Sequence, residues 1–319
     1  MPDLSIIIVN WKSAAHLGNC LRTICENIEE LKCEIVIVDN ASYDGSADVA
    51  RQYGEFVRFV QSNENLGFSR GNNLGFRHSV GDTLLFLNPD TEVRGDALVR
   101  MHDSLKSLSD AGSLGCRILN SDGTVQTSCI QAFPTITNQL LDAELLRKFT
   151  KKSSLWGIAP LFDNSRNPVE VEAISGACLM IRREVFEAVG MFSKDYFMYA
   201  EDLDLCFKTR QAGFRNYYFG DADVVHHGGV STKKRGGNSF SAVLQRESMK
   251  RFMKKFHGIN YSRLFVLTVQ CGAFFRMISL IVVYPFIIFG IIDRDNLNIS
   301  LQKWWNIFRW SIGAKEWTR

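Results

Sequence analysis

Residues 83–90 read TLLFLNPD, a short apolar run that ends abruptly at an amide, a proline and a carboxylate. The run Thr83–Leu87 is apolar on both sides of the chain, which is typical of a strand that is buried on both faces. Three strand-like runs precede it, at Leu4–Val9, Glu34–Val38 and Phe56–Gln61. The pattern therefore predicts four strands within the first 90 residues.

The segments between these runs have helical patterns. Leu17, Leu21 and Ile24 recur at the spacing of one helix face after Ser13, a residue type that favours helix N-caps. Ser46–Tyr53 and Gly67–Ser79 are the next helical candidates. Strands that alternate with helices predict an α/β fold with a mostly parallel central sheet covered on both faces.

Polar residues follow three of the predicted strands. Asn10 ends the first strand, Asp39 ends the second, and Asn88 with Asp90 ends the fourth. Asn and Asp also favour ordinary turns, so each residue alone is open to that interpretation. In open parallel sheets, however, ligands bind beyond the carboxyl ends of the strands. Three such ends favour a polar binding crevice.

If the crevice bound a nucleotide diphosphate, a divalent cation, Mg²⁺ or Mn²⁺, would neutralise the phosphates, and Asp90 is its candidate ligand. Asn88 is better suited to contact a ribose or a metal-bound water. Two later runs, Asn216–Phe219 and Ala222–Val225, are strand-like. His226 follows the second of them, and its imidazole can complete the site. Gly228 and Gly229 come next and would let the backbone approach phosphates closely. His227 is expected to point to the opposite face, since neighbouring strand residues alternate.

A second acidic motif lies in residues 196–204, YFMYAEDLD. Asp202, with Glu201 beside it, is the candidate general base that removes a proton from an acceptor hydroxyl. The alternative is that both acids only complement the dipole at a helix N-terminus. The aromatic residues around them, including Tyr199, favour a wall that binds a sugar.

The C-terminal part differs in composition. Leu264–Ile292 is strongly apolar but is interrupted by Arg276 and Pro285. Its uncharged stretch is shorter than the roughly 20 residues that a spanning helix needs. Tryptophans mixed with basic residues follow, a pattern typical of an interfacial anchor: Trp304, Trp305, Trp310 and Trp317 with Lys303, Arg309, Lys315 and Arg319. We predict a helix or helical hairpin in the cytoplasmic leaflet; a core helix with an exposed tail and a true transmembrane pass are the alternatives.

The overall composition excludes several classes of protein. The 319 residues are 46% hydrophobic and 22% charged, which argues against a disordered chain. A net charge of +3 does not indicate a nucleic-acid partner. The eight cysteines are scattered without a C-x-x-C pair, so free thiols in a reducing compartment are predicted.

Taken together, the motifs resemble those of the inverting glycosyltransferases of family 2, which have the type A nucleotide-sugar fold (GT-A). The resemblance is strongest to the rhamnosyltransferase-like members that build bacterial O-antigen and related cell-surface polysaccharides. It covers about residues 4–232 and is carried by the stretches at 8–11 (IVNW), 38–42 (VDNAS), 65–73 (NLGFSRGNN), 87–91 (LNPDT), 175–180 (SGACLM), 201–204 (EDLD) and 226–229 (HHGG).

The resemblance implies a role for each matching residue. Asp90 would be the second acid of the family's D-x-D metal motif, with Asn88 in place of the first, and His226 would be the other metal ligand. Asp202 would be the catalytic base, and Glu201 would lie beside it. Asp39 would contact the nucleotide base. The resemblance further places at the nucleotide Asn10, Asn65, Gly71 and Asn72, and on the acceptor side Gly176 and Tyr199.

The resemblance also implies the reaction and its partners. The donor would be a nucleotide sugar, dTDP-rhamnose in the first place or another dTDP- or UDP-sugar, and the acceptor a polyprenyl-diphosphate-linked saccharide. Transfer would proceed by a single inverting displacement at the cytoplasmic face of the plasma membrane. The expected organisation is a transferase domain at 1–258, with a nucleotide-binding half at about 1–95 and an acceptor-binding half at about 96–258. A membrane-associating tail at 259–319 would follow.

Three other functions are compatible with parts of this pattern. A nucleotidyltransferase needs a Gly- and Lys/Arg-rich loop after the first strand, and residues 10–15, NWKSAA, are not such a loop. A metal hydrolase built on His226 and His227 would need a further histidine motif such as H-x-x-x-H. A catalytically inactive nucleotide-sugar-binding or scaffolding protein of the same fold remains the alternative, although Asp90 and Asp202 are both present.

Overall fold

The computed structural model describes residues 2–28, 31–141, 150, 153–162, 166–228, 238–284 and 294–314. The chain divides into two compact units. The first unit comprises Met1–Phe133, Lys148–Phe197 and Glu201–Ser231, and the second comprises Pro134–Arg147, Met198–Ala200 and Thr232–Arg319. The domain limits expected from the sequence, at about 95 and at 258, stay predictions.

The first unit is built on one large sheet. Its strands are β1 (Leu4–Asn10), β2 (Cys33–Asn40), β3 (Val57–Ser62), β4 (Thr83–Leu87), β5 (Thr91–Val93), β6 (Ala111–Leu119), β8 (Val169–Val171), β10 (Cys178–Arg182) and β11 (Arg215–His226). A separate two-stranded sheet pairs β7 (Ile130–Gln131) with β9 (Ala173–Ile174).

The strand order of the large sheet is β3-β2-β1-β4-β10-β6-β11-β5, with β8 paired to β11. The predicted parallel pairing is confirmed for β3, β2, β1 and β4. β10 is antiparallel to both of its neighbours, β4 and β6, so the complete sheet is mixed. The carboxyl end of β4 therefore meets the amino end of β10.

Two details of the sequence interpretation need comment, a strand that was divided in two and the cap of the first helix. The runs Asn216–Phe219 and Ala222–Val225 belong to one strand, β11, whose register against β6 shifts between Phe219 and Asp223. Ser13 occupies the N-cap position of the first helix but makes no side-chain capping bond. Instead, the amide of Ala14 donates to Asp44 Oδ2 at 3.0 Å.

Helices cover both faces of the sheet, as predicted, and leave its central strands almost without solvent exposure. In the first unit they are α1 (Ala14–Glu26), α2 (Ser46–Arg51), α3 (Gly67–Arg77), α4 (Ala97–Ser107), α6 (Arg183–Ala188) and α7 (Glu201–Gln211). The predicted α/β fold class is thus confirmed. All eight cysteines are described and are free thiols, five of them buried.

The second unit is helical in its described part. It contains α5 (Ile136–Leu141), α8 (Asn238–His257), α9 (Ile259–Val283) and α10 (Arg294–Ser311). α9 packs against both α8 and α10, and Phe252, Phe265 and Ile307 are fully buried in this unit. Pro285, Lys315, Trp317 and Arg319, on which part of the tail prediction rests, lie outside the described residues, as does Gly229 of the first unit.

Helix α3 lies unusually close to the sheet because two of its residues on one face are glycines. A Cβ atom at Gly71 would come within 2.8 Å of Val9 Cγ1, and one at Gly75 within 2.5 Å of Ile7 Cγ2. Both neighbours are β-branched strand residues whose side chains have few alternative rotamers. The helix can therefore approach β1 only where no side chain stands between them.

We expect Gly75→Ala to lower the free energy of unfolding by about 1–3 kcal/mol, because the added methyl group overpacks the buried contact with Ile7. The matched control is Gly18→Ala in α1, where the new Cβ would lie 3.9 Å from Val49 Cγ1, an ordinary contact. Alanine is favoured over glycine in helix interiors, so the control should be neutral or stabilising. Urea unfolding measures both variants, and equal effects of the two substitutions would contradict the close-packing account.

Candidate active site

The ends of the first three strands meet side by side. Asn10, Asp39 and Gln61 occupy matching register positions on β1, β2 and β3. Asp39 Oδ1 accepts a hydrogen bond from Asn10 Nδ2 at 2.8 Å, and Oδ2 accepts from Gln61 Nε2 at 2.8 Å and from the amide of Ser42 at 2.9 Å. Burial alone would raise the pKa of Asp39, but these hydrogen bonds outweigh it and lower the pKa below its usual range. Asp39 is therefore a buried carboxylate that joins three strand ends.

The loop after β3 is fixed by its own polar groups. Asn65 Oδ1 accepts from the amide of Gly67 at 3.0 Å, and Asn40 Nδ2 donates to the carbonyl of Gly67 at 3.0 Å. Gly67 has φ +75°, and a Cβ there would clash with the carbonyl oxygen of Phe197. The amide of Phe68 donates to that same carbonyl at 2.9 Å. The loop is thus attached to the chain segment that leads to Glu201.

Gly71 and Asn72 both contact the protein interior. Gly71 packs against Val9, and Asn72 Nδ2 donates to the carbonyl of Phe68 at 3.0 Å. Both residues are buried. Their expected role in lining a nucleotide pocket stays a prediction.

Asp90 and His226 come together at the carboxyl ends of β4 and β11. Asp90 Oδ1 lies 3.3 Å from His226 Nε2, and Asn88 Nδ2 lies 3.1 Å from the same nitrogen. Burial would raise the pKa of Asp90, but His226, a backbone hydrogen bond and His16 together outweigh burial and lower the pKa. His227 is directed elsewhere, as expected, with Nε2 3.0 Å from Glu92 Oε1.

The Asp90–His226 pair fits a divalent cation. Two ligands at about 2.1 Å from Mg²⁺, on adjacent octahedral positions, lie about 3 Å apart, close to the 3.3 Å between these two atoms. In the part of the chain that the structure describes, no group of three or more His, Cys, Asp or Glu side chains could hold a metal by itself. The remaining coordination positions would therefore belong to water and to the oxygens of a bound ligand.

Asp202 lies in the first turn of α7, half-buried beside the amino end of β10. Its Oδ2 accepts from the amide of Gly176 at 3.1 Å and from Gln131 Nε2 at 3.4 Å, and its Oδ1 accepts from the amide of Leu203 at 2.8 Å. Burial raises the pKa of Asp202 above its ordinary value, and these hydrogen bonds offset only part of that effect. A carboxylate with a raised pKa is a stronger base, which is what proton abstraction from a hydroxyl requires.

The two neighbouring acids differ from Asp202. Glu201 is buried, and burial together with the charge of Asp202 raises its pKa well above the ordinary value. Asp204 is fully buried, accepts a hydrogen bond from Ser193 Oγ at 2.5 Å and lies 3.2 Å from Lys208 Nζ. Asp204 therefore has a structural role in fixing α7, whereas the role of Asp202 as a base stays a prediction.

The antiparallel pairing of β4 with β10 connects the two halves of the site. Leu87 pairs with Cys178, and the amide of Asn88 donates to the carbonyl of Ala177 at 3.0 Å. Gly176, one residue earlier, binds Asp202. The Asp90–His226 pair and the candidate base Asp202 are thus connected, at the end of β4, through the backbone bonds of Ala177 and Gly176. Tyr199 belongs to the second unit and has a left-handed backbone, with φ 71°; its acceptor-side role stays a prediction.

A family model described as glycosyl transferase family 2 matches residues 5–190, more than half of the chain. The chain belongs to glycosyl transferase family 2. It is accordingly a glycosyltransferase, and the family resemblance inferred from the sequence motifs is confirmed. The match spans the ends of β1, β2 and β4 together with β10, and ends before Asp202 and His226.

The chain is also similar to two relatives and to one solved structure. The chain is 26% identical to the low-salt glycan biosynthesis hexosyltransferase Agl10 of Haloferax volcanii, over 84% of this chain and 82% of that one. It is 29% identical to the N-acetylglucosaminyl-diphospho-decaprenol L-rhamnosyltransferase of Mycobacterium tuberculosis, over 75% and 80%. The mannosyltransferase PcManGT of Pyrobaculum calidifontis, solved with GDP-Man and Mn²⁺, superimposes with a TM-score of 0.61 at 15% identity, over 99% of this chain and 88% of that one. This likeness shows the GT-A fold.

Several residues at the candidate site could not be predicted from the sequence. Gln61 follows no motif, but its position at the end of β3 would have placed it beside Asp39. Gln126 contacts His226, and Gln131 contacts Asp202, from separate parts of the chain. Nothing in the local sequence marks these two glutamines, because their contacts arise only from the tertiary fold.

Proposed function

We propose that this glycosyltransferase transfers rhamnose from dTDP-rhamnose, with inversion, to a hydroxyl group of a polyprenyl-diphosphate-linked saccharide. The observation that carries the proposal is the connection between the Asp90–His226 pair and Asp202 through Ala177 and Gly176. One group of residues can bind a diphosphate-bound cation, and the other can accept a proton, within a single connected site.

Each residue of the site has a proposed role that follows from its environment. Asp90 and His226 would hold the cation, Mg²⁺ or Mn²⁺, which supplies positive charge to the diphosphate leaving group. Asp202 would take the proton from the acceptor hydroxyl, which then attacks the anomeric carbon from the side opposite the diphosphate. Asn10, Asp39, Asn65, Gly71 and Asn72 would form the nucleotide side, and Gly176 and Tyr199 the acceptor side. The Mn²⁺ bound to the structural relative PcManGT supports the choice of cation.

The donor and acceptor are proposed from the relatives. The mycobacterial relative is named as an L-rhamnosyltransferase acting on a decaprenol-linked diphosphosaccharide, and another relative, from Escherichia coli, as a rhamnosyltransferase. An acceptor carried on a polyprenyl chain would lie in a membrane. The second unit of this chain supports that arrangement.

Helix α9 has the surface of a membrane-associated helix. By length and composition, Ile259–Val282 is the one helix in the described residues that could span a bilayer. Leu267, Phe275 and Val282 are each more than half exposed. Exposure of large apolar side chains is unfavourable in water, whereas their contact with lipid is favourable. Arg276 lies with its guanidinium 4.3 Å from the Trp304 ring centre, so an aromatic ring of α10 partly shields its charge. We propose that this unit attaches the enzyme to the cytoplasmic face of the membrane.

Calorimetric binding of dTDP-, UDP- and GDP-sugars, each with Mn²⁺, with Mg²⁺ and with a chelator, tests the donor. We expect dTDP-rhamnose to bind most tightly and only when metal is present. Selective binding of a UDP-sugar would contradict the rhamnose assignment and leave the transferase class intact. If the folded protein with metal bound no nucleotide at all, the inactive scaffolding alternative would replace the proposal.

Two substitutions distinguish the proposed base, Asp202, from the proposed metal ligand, Asp90. Asp202→Asn should lower kcat by about 10²–10⁴-fold while metal-dependent donor binding persists, and Asp90→Ala should weaken donor binding itself. Because the pKa of Asp202 is raised, the wild-type rate should fall as the pH drops through that raised value, where the base becomes protonated. Steady-state transfer assays measure these effects, with Asp48→Asn, an exposed aspartate on α2, as the control. Normal turnover of Asp202→Asn would show that another group is the base.

Vesicle flotation tests the membrane attachment. The triple variant Leu267→Gln, Phe275→Gln and Val282→Gln removes apolar area from the exposed face of α9 and should reduce binding to phospholipid vesicles at least about tenfold. The control pair Phe56→Gln and Val80→Gln replaces exposed apolar residues of the first unit and should leave binding unchanged. Undiminished flotation of the triple variant would contradict attachment through α9.

A further inference from the structure

A row of side-chain hydrogen bonds connects His226 to the surface turn that follows β6. The turn is closed by backbone bonds from the amide of Asn120 to the carbonyl of Thr124, at 2.8 Å, and from the amide of Gly123 to the carbonyl of Asn120, at 2.9 Å. The amide of Gln126 donates to the carbonyl of Ile118 at 2.8 Å. The turn thus holds Asn120, Thr124 and Gln126 in fixed positions relative to the sheet.

The row of hydrogen bonds begins at the carboxylate of Asp122, which can only accept hydrogen bonds. Asp122 Oδ1 accepts from Thr124 Oγ1 at 2.6 Å and from the amide of Thr124 at 3.0 Å. These bonds lower the pKa of Asp122, so it is an ionised carboxylate at neutral pH and has no proton to give. The Thr124 hydroxyl must therefore use its one proton on Asp122 and can only accept from its other neighbour.

Because Asp122 can only accept, the donor and the acceptor are also determined in the hydrogen bonds made by the side-chain amides of Asn120 and Gln126. Asn120 Nδ2 donates to Thr124 Oγ1 at 2.9 Å, which leaves Asn120 Oδ1 to accept from Gln126 Nε2 at 2.9 Å. Gln126 Oε1 is then left to face His226 Nδ1, also at 2.9 Å. Because an amide oxygen only accepts, Nδ1 has to carry the proton.

We propose that Gln126, oriented by Asn120 and the Asp122–Thr124 pair, is a positioning residue that keeps the proton of neutral His226 on Nδ1 and leaves the lone pair of Nε2 free for a divalent cation. This inference rests on the proposed function, since the cation is the one that the Asp90–His226 pair would hold. Asn88 Nδ2, 3.1 Å from Nε2, would donate to that lone pair when no metal is present.

The competing arrangement places the proton on Nε2, where Asp90 Oδ1, 3.3 Å away, could accept it. In the proposed arrangement both of these atoms are acceptors; Asn88 Nδ2 then donates to Nε2 in the metal-free protein, and a bound cation would lie between Nε2 and Asp90. Gln126 would then have to turn its NH₂ group toward Nδ1 and its oxygen toward Asn120. Asn120 would have to turn in the same way and present its oxygen to Thr124 Oγ1, whose proton already serves Asp122. Two acceptors would then face each other at 2.9 Å. The hydrogen bond between Asn120 and Thr124 would then be lost, and nothing in the row would orient Gln126.

The ¹⁵N spectrum of the His226 ring in the full-length, metal-free protein tests the proposal directly, at a pH where the ring is neutral. We expect a protonated Nδ1 and an unprotonated Nε2. A protonated Nε2 in the neutral wild-type ring would overturn the proposal without any variant being made. This readout does not depend on transferase activity, so it separates the proposal from the proposed function.

Mn²⁺ alone, titrated and followed by electron paramagnetic resonance, measures the consequence for metal binding. Gln126→Leu keeps the size of the side chain but removes the acceptor, and should weaken Mn²⁺ binding about 10–100-fold, as loss of an outer partner of a metal-binding histidine does. Gln126→Glu retains an acceptor for Nδ1 and should restore the Nδ1-protonated ring. The matched control is Ser121→Ala, on the same turn, whose hydroxyl contacts His227 Nδ1 instead, at 2.8 Å. Unchanged Mn²⁺ affinity and an unchanged ring in Gln126→Leu would overturn the proposal; a wild-type protein that bound no Mn²⁺, even with a nucleoside diphosphate, would instead overturn the proposed function.

Discussion

The site depends on how strand β4 ends. β4 is fully buried, and its two neighbours run in opposite directions, β1 parallel to it and β10 antiparallel. Its carboxyl end therefore lies beside the carboxyl end of β1 and the amino end of β10. The bond from the amide of Asn88 to the carbonyl of Ala177 fixes this meeting point. Close to this point in the chain, Asp90 contacts His226, and the amide of Gly176 donates a hydrogen bond to Asp202.

The acidic residues of the site have different environments, and these environments separate their roles. Asp39 and Asp90 are buried but have enough partners to keep their pKa values low, so both remain charged. Asp202 and Glu201 have too few partners to offset burial, and their pKa values are raised. A permanently charged acid suits structure or metal binding, and an acid with a raised pKa suits proton transfer. The roles proposed for Asp90 and Asp202 follow this division.

Much of the first half of the fold could be predicted from the sequence because the four buried strands and the helices between them have clear periodicities. The strand-end residues Asn10, Asp39 and Asp90 could be predicted for the same reason. The antiparallel insertion of β10 could not be predicted. It depends on pairing between segments about 90 residues apart, and local sequence patterns carry no information about such pairing. The bulge that makes Asn216–Phe219 and Ala222–Val225 one strand was missed because turn-like residues, Gly220 and Asp221, stand at the irregularity. Gln61, Gln126 and Gln131 were missed because glutamine has no local signature of function.

The central claim is that Asp90 and His226 hold the diphosphate-bound cation of a sugar-transfer site whose base is Asp202. The most direct test is anomalous diffraction from crystals of the protein grown with Mn²⁺ and dTDP. The account predicts a Mn²⁺ peak bonded to Asp90 and to His226 Nε2, with diphosphate oxygens completing its coordination at the end of β4. A Mn²⁺ ion held by other residues, or a nucleotide bound away from the ends of β1, β2 and β4, would contradict it.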